Sequence, residues 1–274
     1  MSHGMGGCIA GLFIVDNSFV QMHISAMIII KSPREIEQLK RSNAIAAEVF
    51  EKLKGMIAPG VTTKELDRVA EEYILLKGAR PAFKGYRGFP ATLCISVNEE
   101  VVHGIPGQRQ LKAGDIASLD VGVNLGGYFG DAAMTFPVGE VDSEAKRLLE
   151  VTEKALGIGI EKAMVGNRLY DISYAIQRWV ESHGFSVVRD FVGHGIGRDL
   201  HEEPQIPNFG SPHQGPRLEK GMVFALEPMV NEGAHGVRVL SDGWTVVTAD
   251  GKRSAHFEHT IAISDDGAKI LSTL

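Results

Sequence analysis

Cysteine is scarce: Cys8 and Cys94 are the only two in 274 residues. Two thiols build neither a disulfide framework nor a Cys-rich zinc module, and their scarcity suits a reducing compartment. Surplus basic charge is missing as well, with a formal net charge of -6 and a pI near 5.9. Neutralising many phosphates takes clustered Lys and Arg, so general nucleic-acid binding is excluded as the main task. The apolar run from Ile9 to Val15 is far shorter than the roughly 20 residues a membrane crossing needs. No positive side chain precedes it, so it does not read as a secretory signal either. Nothing at 44% hydrophobic and 23% charged reads as disorder, and the length fits one large domain or two small ones.

Residues 1–26 read as a dispensable leader, with translation naturally starting at Met27; the alternative is a strand docked on the body. Residues 27–274 read as one catalytic unit. From Ser32 the chain becomes regular. Ser32-Pro33-Arg34-Glu35 is a capping box with Pro in the first turn, and Ile36, Leu39, Ala46, Phe50 and Leu53 follow at helical spacing. Thr62 to Glu65 caps a second helix, expected to bury Leu66, Val69, Tyr73 and Leu76 before Gly78.

The most informative stretch is GDIASLDVGVNLGGYFGDAAMTF, from Gly114 to Phe136. Gly126-Gly127 between two apolar-rich runs favours a two-residue turn that pairs Leu125 with Tyr128 and Gly122 with Asp131. Asp120 then becomes a diagonal neighbour of Asp131 on one face, about 7 Å away or less. Carboxylates that close repel unless a proton or cation lies between them. The hairpin therefore reads as a metal clamp, against the plainer reading of two solvated acids.

The same order returns about 106 residues later. Gly60 is answered by Gly166, Leu66 by Ile172 and Gly78 by Gly184, while LKAGDIASLDVGV from Leu111 matches LEKGMVFALEPMV from Leu218. Asp120 is answered by Glu227. In AHFEHTIAI, Glu258 takes the part of Asp131, so each half carries an acid pair and the two meet at a pseudo-twofold seam. Helix pairs alternating with hairpins imply an α+β fold, with helices on one face of a curved, mainly antiparallel sheet and the acids on the other.

Between the acid hairpins lies FVGHGIGRDLHEEPQIP, residues 191–207. Gly193, Gly195 and Gly197 permit close backbone approach, but no Gly-Lys-Ser/Thr follows, so it is not a phosphate loop; nor is it His-Glu-x-x-His. Taken alone, His194 or His201 reads as a satisfied structural histidine. Beside four acids that reading weakens.

The segments VNEEVVHGIP, DVGVNLGGYFGDAAMTF, GHGIGRDLHEEPQIP, ALEPMV and FEHTIAI, in this order, resemble those of type I methionine aminopeptidases. The resemblance runs from Met27 onward. It implies the pita-bread fold, two pseudo-symmetric halves around a dinuclear metal centre, and a cytoplasmic enzyme that removes the first methionine of nascent chains whose second residue is small. It implies metal ligands at Asp120, Asp131, His194, Glu227 and Glu258. Four carboxylates and one imidazole suit two divalent ions such as Co, Mn, Fe or Zn, with a hydroxide bridging them as nucleophile. The resemblance gives Glu227 the role of proton acceptor, His201 that of donor to the carbonyl oxygen, and His103 that of substrate positioning and proton relay. It lines the methionine pocket with Phe83, Tyr86, Phe89, Cys94, Leu200 and Trp244, alongside His103 and His201. Phe89 stands where tyrosine is common in the family, and Cys94 within LCISV also reads as plain core.

A prolidase would share the five ligands but usually carries another amino-terminal domain. A type II enzyme would have a long insertion where only 33 residues separate His194 from Glu227. A binding module that had lost its chemistry should lack ligands, and none is missing. Nascent chains as substrates imply a transient ribosome contact, for which Arg217, Lys220, Lys252 and Arg253 are the local basic residues, against the alternative of solvated turns. The chain is expected to act as a monomer, off the membrane.

Overall fold

The computed structural model describes residues 27–273, so the expected leader, residues 1–26, lies outside the described residues. Four helices alternate with short strands. Helix α1 (Pro33–Lys54) and helix α2 (Thr63–Leu76) open on the two expected capping boxes: Ser32 and Glu35 exchange hydrogen bonds, as do Thr62 and Glu65. Helix α3 (Ser143–Lys162) and helix α4 (Leu169–Ser182) follow in the second half. One expectation for α2 fails. Leu76 is 80% exposed, and the buried stripe runs Leu66, Val69, Ala70, Ile74 instead. Ile74 lies eight positions from Leu66, two turns and about 80° on, whereas Leu76, about 200° further round, faces away from Ile74.

The main sheet is antiparallel throughout. The strand Ile116–Leu125 pairs with Tyr128–Pro137 in the register read from the sequence, Leu125 opposite Tyr128 and Gly122 opposite Asp131. Gly126 and Gly127, at φ 62° and 84°, make the tight turn that only left-handed residues allow. Tyr128–Pro137 then meets Glu258–Ser264, which joins the halves and continues through Val223–Leu226 and Gly193–Gly195 to Glu202–Ile206. The second half is not a tight hairpin. Residues between Val223–Leu226 and Glu258–Ser264 leave the sheet and pair in two smaller three-stranded sheets.

The internal repeat survives at atomic detail. Gly60 N–H donates to the Leu111 carbonyl at 2.8 Å and Gly166 N–H to that of Leu218 at 3.0 Å, while Leu111 and Leu218 return bonds to Val61 and Asn167. Each half also has its own core. Leu66, Val69 and Ile74 pack with Leu119, Val121 and Val123, whereas Leu148, Ile172 and Ile176 pack with Phe224, Leu226 and Ile261. Strand residues alternate, so the positions between those core residues, Asp120, Asp131, Ala225 and Glu258 among them, turn to the other face.

Candidate active site

That other face is a buried cavity, and every residue singled out above for metal, catalysis or substrate lines it: Phe83, Tyr86, Phe89, Cys94, His103, Asp120, Asp131, His194, Leu200, His201, Glu227, Trp244 and Glu258. The ribosome-facing residues do not. Arg217 borders a separate cleft with Lys162, Arg168 and His213; Lys220 pairs with Asp265, and Arg253 with Glu232 at 2.7 Å and Asp142 at 2.8 Å.

Asp131 is held by its backbone. The Asp131 N–H donates to Asn43 Oδ1 of α1 at 3.2 Å, and its carbonyl accepts the Thr260 hydroxyl at 2.7 Å. Gly130 beside it lets α1 close in: a Cβ there would sit 2.6 Å from the Asn43 nitrogen. His194 occupies a strand squeezed between two neighbours, since a Cβ at Gly193 or Gly195 would lie 2.4 Å from the Ala225 carbonyl or 2.2 Å from that of Glu203.

The donor atoms converge. Asp131, His194 and Glu258 offer ligand atoms mutually within 4.8 Å, all buried. Asp120 lies diagonal to Asp131 across the hairpin, Gly122 being opposite Asp131, and Glu227 Oε1 lies 3.5 Å from His194 Nε2. His194 Nδ1 is 2.9 Å from the Gly195 carbonyl, an acceptor, so the proton sits on Nδ1 and the Nε2 lone pair faces the Glu227 and Asp131 carboxyls. Lone pair against carboxylate is repulsive without a proton or a cation between them. Asp120 Oδ1, Asp131 Oδ1 and Glu258 Oε1 are buried without hydrogen-bond partners, which a native interior rarely tolerates. These residues fit a divalent-metal site. With protein groups alone, burial pushes the Asp120 carboxyl up to about 7 and those of Asp131, Glu227 and Glu258 well above the usual range.

The remaining walls split into polar and apolar parts. His103 sits at φ 60°, pinned by Gly104, whose Cβ would lie 2.2 Å from the Ile95 carbonyl; burial lowers its pKa to about 4. His201 is lowered to about 2, first by burial and then by neighbouring His194, Arg87 and His103, so its imidazole is neutral. Its Nδ1 lies 2.9 Å from the Tyr86 hydroxyl. Phe89 and Trp244 meet edge to face at 5.1 Å. Cys94 is both core and wall: it is buried, its thiol is pushed well up chiefly by burial, and it stands opposite Asp120 in the ladder.

Residues 37–265 match the model of Metallopeptidase family M24. Over 246 residues the chain is 57% identical to Methionine aminopeptidase 1 of Bacillus subtilis, covering 90% of itself and 99% of that protein. The chain belongs to metallopeptidase family M24, within its methionine aminopeptidases. The methionine aminopeptidase of Clostridium perfringens is likewise 57% identical over 248 residues, 90% of this chain and all of that one. The crystal structure of the Thermotoga maritima enzyme superposes at a TM-score of 0.89 with 49% identity, over 90% of this chain and 100% of that one. The prolidase of Pyrococcus horikoshii shares the pita-bread fold at a TM-score of 0.74, but at 23% identity and with only 64% of its length covered. The fold class read from the sequence is therefore that of this family.

Several cavity residues escaped the sequence reading. His256 is 2% exposed, its Nε2 has no hydrogen-bond partner, and it lies 3.7 Å from Glu227 Oε2. The signal was available, since period two puts residues 256 and 258 on one face. Glu202 lines the cavity and is paired with buried Lys31 from the far end of the described chain, a contact across 171 positions that no local pattern reveals.

Proposed function

We propose that this M24 enzyme removes the amino-terminal methionine from peptides and nascent chains whose second residue is small, using Asp120, Asp131, His194, Glu227 and Glu258 to hold two divalent ions, Co, Mn, Fe or Zn. The observation that carries the reading is the single cavity in which buried, partnerless carboxyl oxygens face the bare Nε2 of His194. Ions bound there supply Lewis acidity and an ionised water at neutral pH. The chain's own residues do the rest. Glu227 accepts the proton of the attacking water and returns it to the leaving amine. His201 donates a hydrogen bond to the carbonyl oxygen as negative charge grows on it, in a site dry enough for that bond to count. His103, rigidly presented, positions the peptide. Phe83, Tyr86, Phe89, Cys94, Leu200 and Trp244 enclose an unbranched thioether side chain without demanding polar partners of it.

Residues 27–274 are the catalytic unit, acting as a monomer in the cytoplasm; among the described residues no helix is long and apolar enough to cross a membrane. The reading extends to a brief ribosome contact through Arg217, Lys220, Lys252 and Arg253. Lys252 and Arg217 are exposed, which leaves them accessible to phosphates, while Lys220 and Arg253 would have to exchange partners. Replacing all four with Glu should abolish salt-sensitive cosedimentation with ribosomes and spare cleavage of a free tripeptide. The test of the main reading is hydrolysis of a Met-Gly-Met peptide: activity should vanish with chelator and return with Mn or Co. Equal rates with and without chelator would dismiss it.

A further inference from the structure

The hydroxyl of Tyr86 lies 2.9 Å from His201 Nδ1, and the two rings stack at 5.3 Å with 24° between their planes. Tyr86 thus differs from the other aromatic wall residues, because it holds the ring on which the reaction's oxyanion depends. A neutral imidazole has one N–H and one bare nitrogen, and only the nitrogen bearing hydrogen can serve a developing negative oxygen. The Tyr86 bond decides which nitrogen that is. If Nδ1 carried the proton it would donate to the phenol oxygen, and Nε2 would present a lone pair to the substrate carbonyl, repelling it. A phenol is the stronger acid of the two partners, so the favoured direction runs from the hydroxyl to a bare Nδ1.

The local chain is built to hold the phenol there. Tyr86 opens a single 3-10 turn, Tyr86–Gly88, entered through Gly85 at φ 86° and containing Arg87 at φ 50°. The Tyr86 and Phe83 backbones are tied by a 2.9 Å hydrogen bond, as are those of Phe89 and Tyr86, so the turn fixes where the side chain starts, and the stacked His201 ring sets the plane of the phenol. His194 lies on the other side, its ring centroid 4.3 Å from that of His201.

We infer that Tyr86 is a positioning residue that donates its hydroxyl hydrogen to His201 Nδ1 and so fixes His201 as the tautomer with hydrogen on Nε2, ready to donate to the carbonyl oxygen. This rests on the reading of His201 as the oxyanion donor, and the experiment separates the two. Histidine nitrogen NMR on the Zn-loaded enzyme, whose closed-shell ion does not broaden the spectrum, reports the tautomer directly, with His201→Gln identifying the signals. In the parent, His201 is expected to show a bare Nδ1 and a protonated Nε2. In Tyr86→Phe, which keeps the stacked ring, the tautomers should mix and kcat should fall about 10-fold or more with KM for a Met-Gly peptide little changed. That loss should stay below the roughly 10²- to 10³-fold of removing an oxyanion donor outright. A protonated Nδ1 in the parent, or an unchanged tautomer in Tyr86→Phe, overturns the inference. A shifted tautomer with unchanged kcat leaves Tyr86 in its assigned place and overturns the oxyanion role of His201 instead.

Discussion

Stripping the divalent ions from this peptidase should make its stability fall as pH rises from 7 to 8. In the metal-free fold, burial holds the Asp120 carboxyl at about 7 and those of Asp131, Glu227 and Glu258 well above the ordinary range. An acid whose folded pKa is raised keeps a proton that the unfolded chain has released. Its stabilising effect is complete below the unfolded pKa near 4 and is lost as pH climbs toward the folded value. The buried histidines pull the other way, being lowered to about 4 for His103 and His194, about 3 for His256 and about 2 for His201. They make stability rise with pH, but only until unfolded histidine deprotonates near 6.5. The exposed acids held low by hydrogen bonds, such as Glu35 and Asp142, are ionised in both states by then. Above pH 7 the cavity carboxyls therefore dominate: the residual histidine effect fades, and buried Cys94, its thiol pushed well up, adds to the fall as pH nears 8.

Each carboxyl that stays protonated in the fold costs about 1.4 kcal/mol per pH unit. For a domain of this size about 1 kcal/mol moves Tm by roughly 2–4 °C, so one such group lowers Tm by about 3–6 °C between pH 7 and 8. Thermal melts of chelated protein at pH 7.0, 7.5 and 8.0 would measure it. Saturating Zn or Mn should flatten or reverse the slope, because cations ionise the carboxyls within the fold and expel their protons. A metal-free Tm that holds constant or rises over this interval would refute the argument, and with it the picture of four carboxyls compressed into one dry cavity.

Glu227→Gln keeps the shape and removes the proton acceptor, so kcat should drop by about 10²- to 10⁴-fold while the melting profile stays cooperative; parental kcat at saturating metal would exclude Glu227 as base. Asp120→Asn should lower metal content, read by elemental analysis after dialysis, in step with activity, and should also soften the pH 7–8 slope of the metal-free protein; full occupancy with full activity would reject the clamp. Gly122→Ala places a Cβ 2.4 Å from Phe83 Cε1 in the pocket wall. Overpacking of this kind costs about 1–3 kcal/mol, and displacing Phe83 should raise KM for methionyl peptides more than it lowers kcat; an unchanged KM would mean Phe83 does not bound the methionine side chain.

Local chemistry was legible where a short rule decides it. The capping boxes at Ser32 and Thr62, the Gly126-Gly127 turn and the period-two alternation placed α1, α2 and the first hairpin in the observed register. The glycines answering one another across the repeat reappear at matching φ, 94° and 90° for Gly60 and Gly166. What stayed hidden depends on long-range approach. Lys31 reaching Glu202, Asn43 bracing Asp131, and the Tyr86 hydroxyl on His201 each join residues whose sequence neighbourhoods say nothing of one another. Leu76 was misplaced because a buried stripe drifts along a helix, so a count that fits at Leu66 has slipped by the last turn.

The second acid pair shows why the repeat alone understates the site. Asp120 and Asp131 are diagonal in an unbroken ladder, Asp120 lying opposite Ala133 and Asp131 opposite Gly122, so small residues leave each carboxyl room. In the second half the ladder stops after His259 opposite Leu226 and resumes at His256 opposite Met229, and this constant register sets Glu227 directly across from Glu258. Like charges directly opposed destabilise a sheet. Pairing gives way there: Pro228 has no N–H to donate, its carbonyl receives only a long 3.4 Å bond from Phe257, and the Glu227 carbonyl is taken by Asn208 Nδ2 at 3.0 Å. The break lets the strands part, and the extra methylene of Glu over Asp restores the reach that parting removes. A sheet that needed only stability would have closed this gap with two valines; two opposed glutamates at a broken ladder are what the proposed cation site would need.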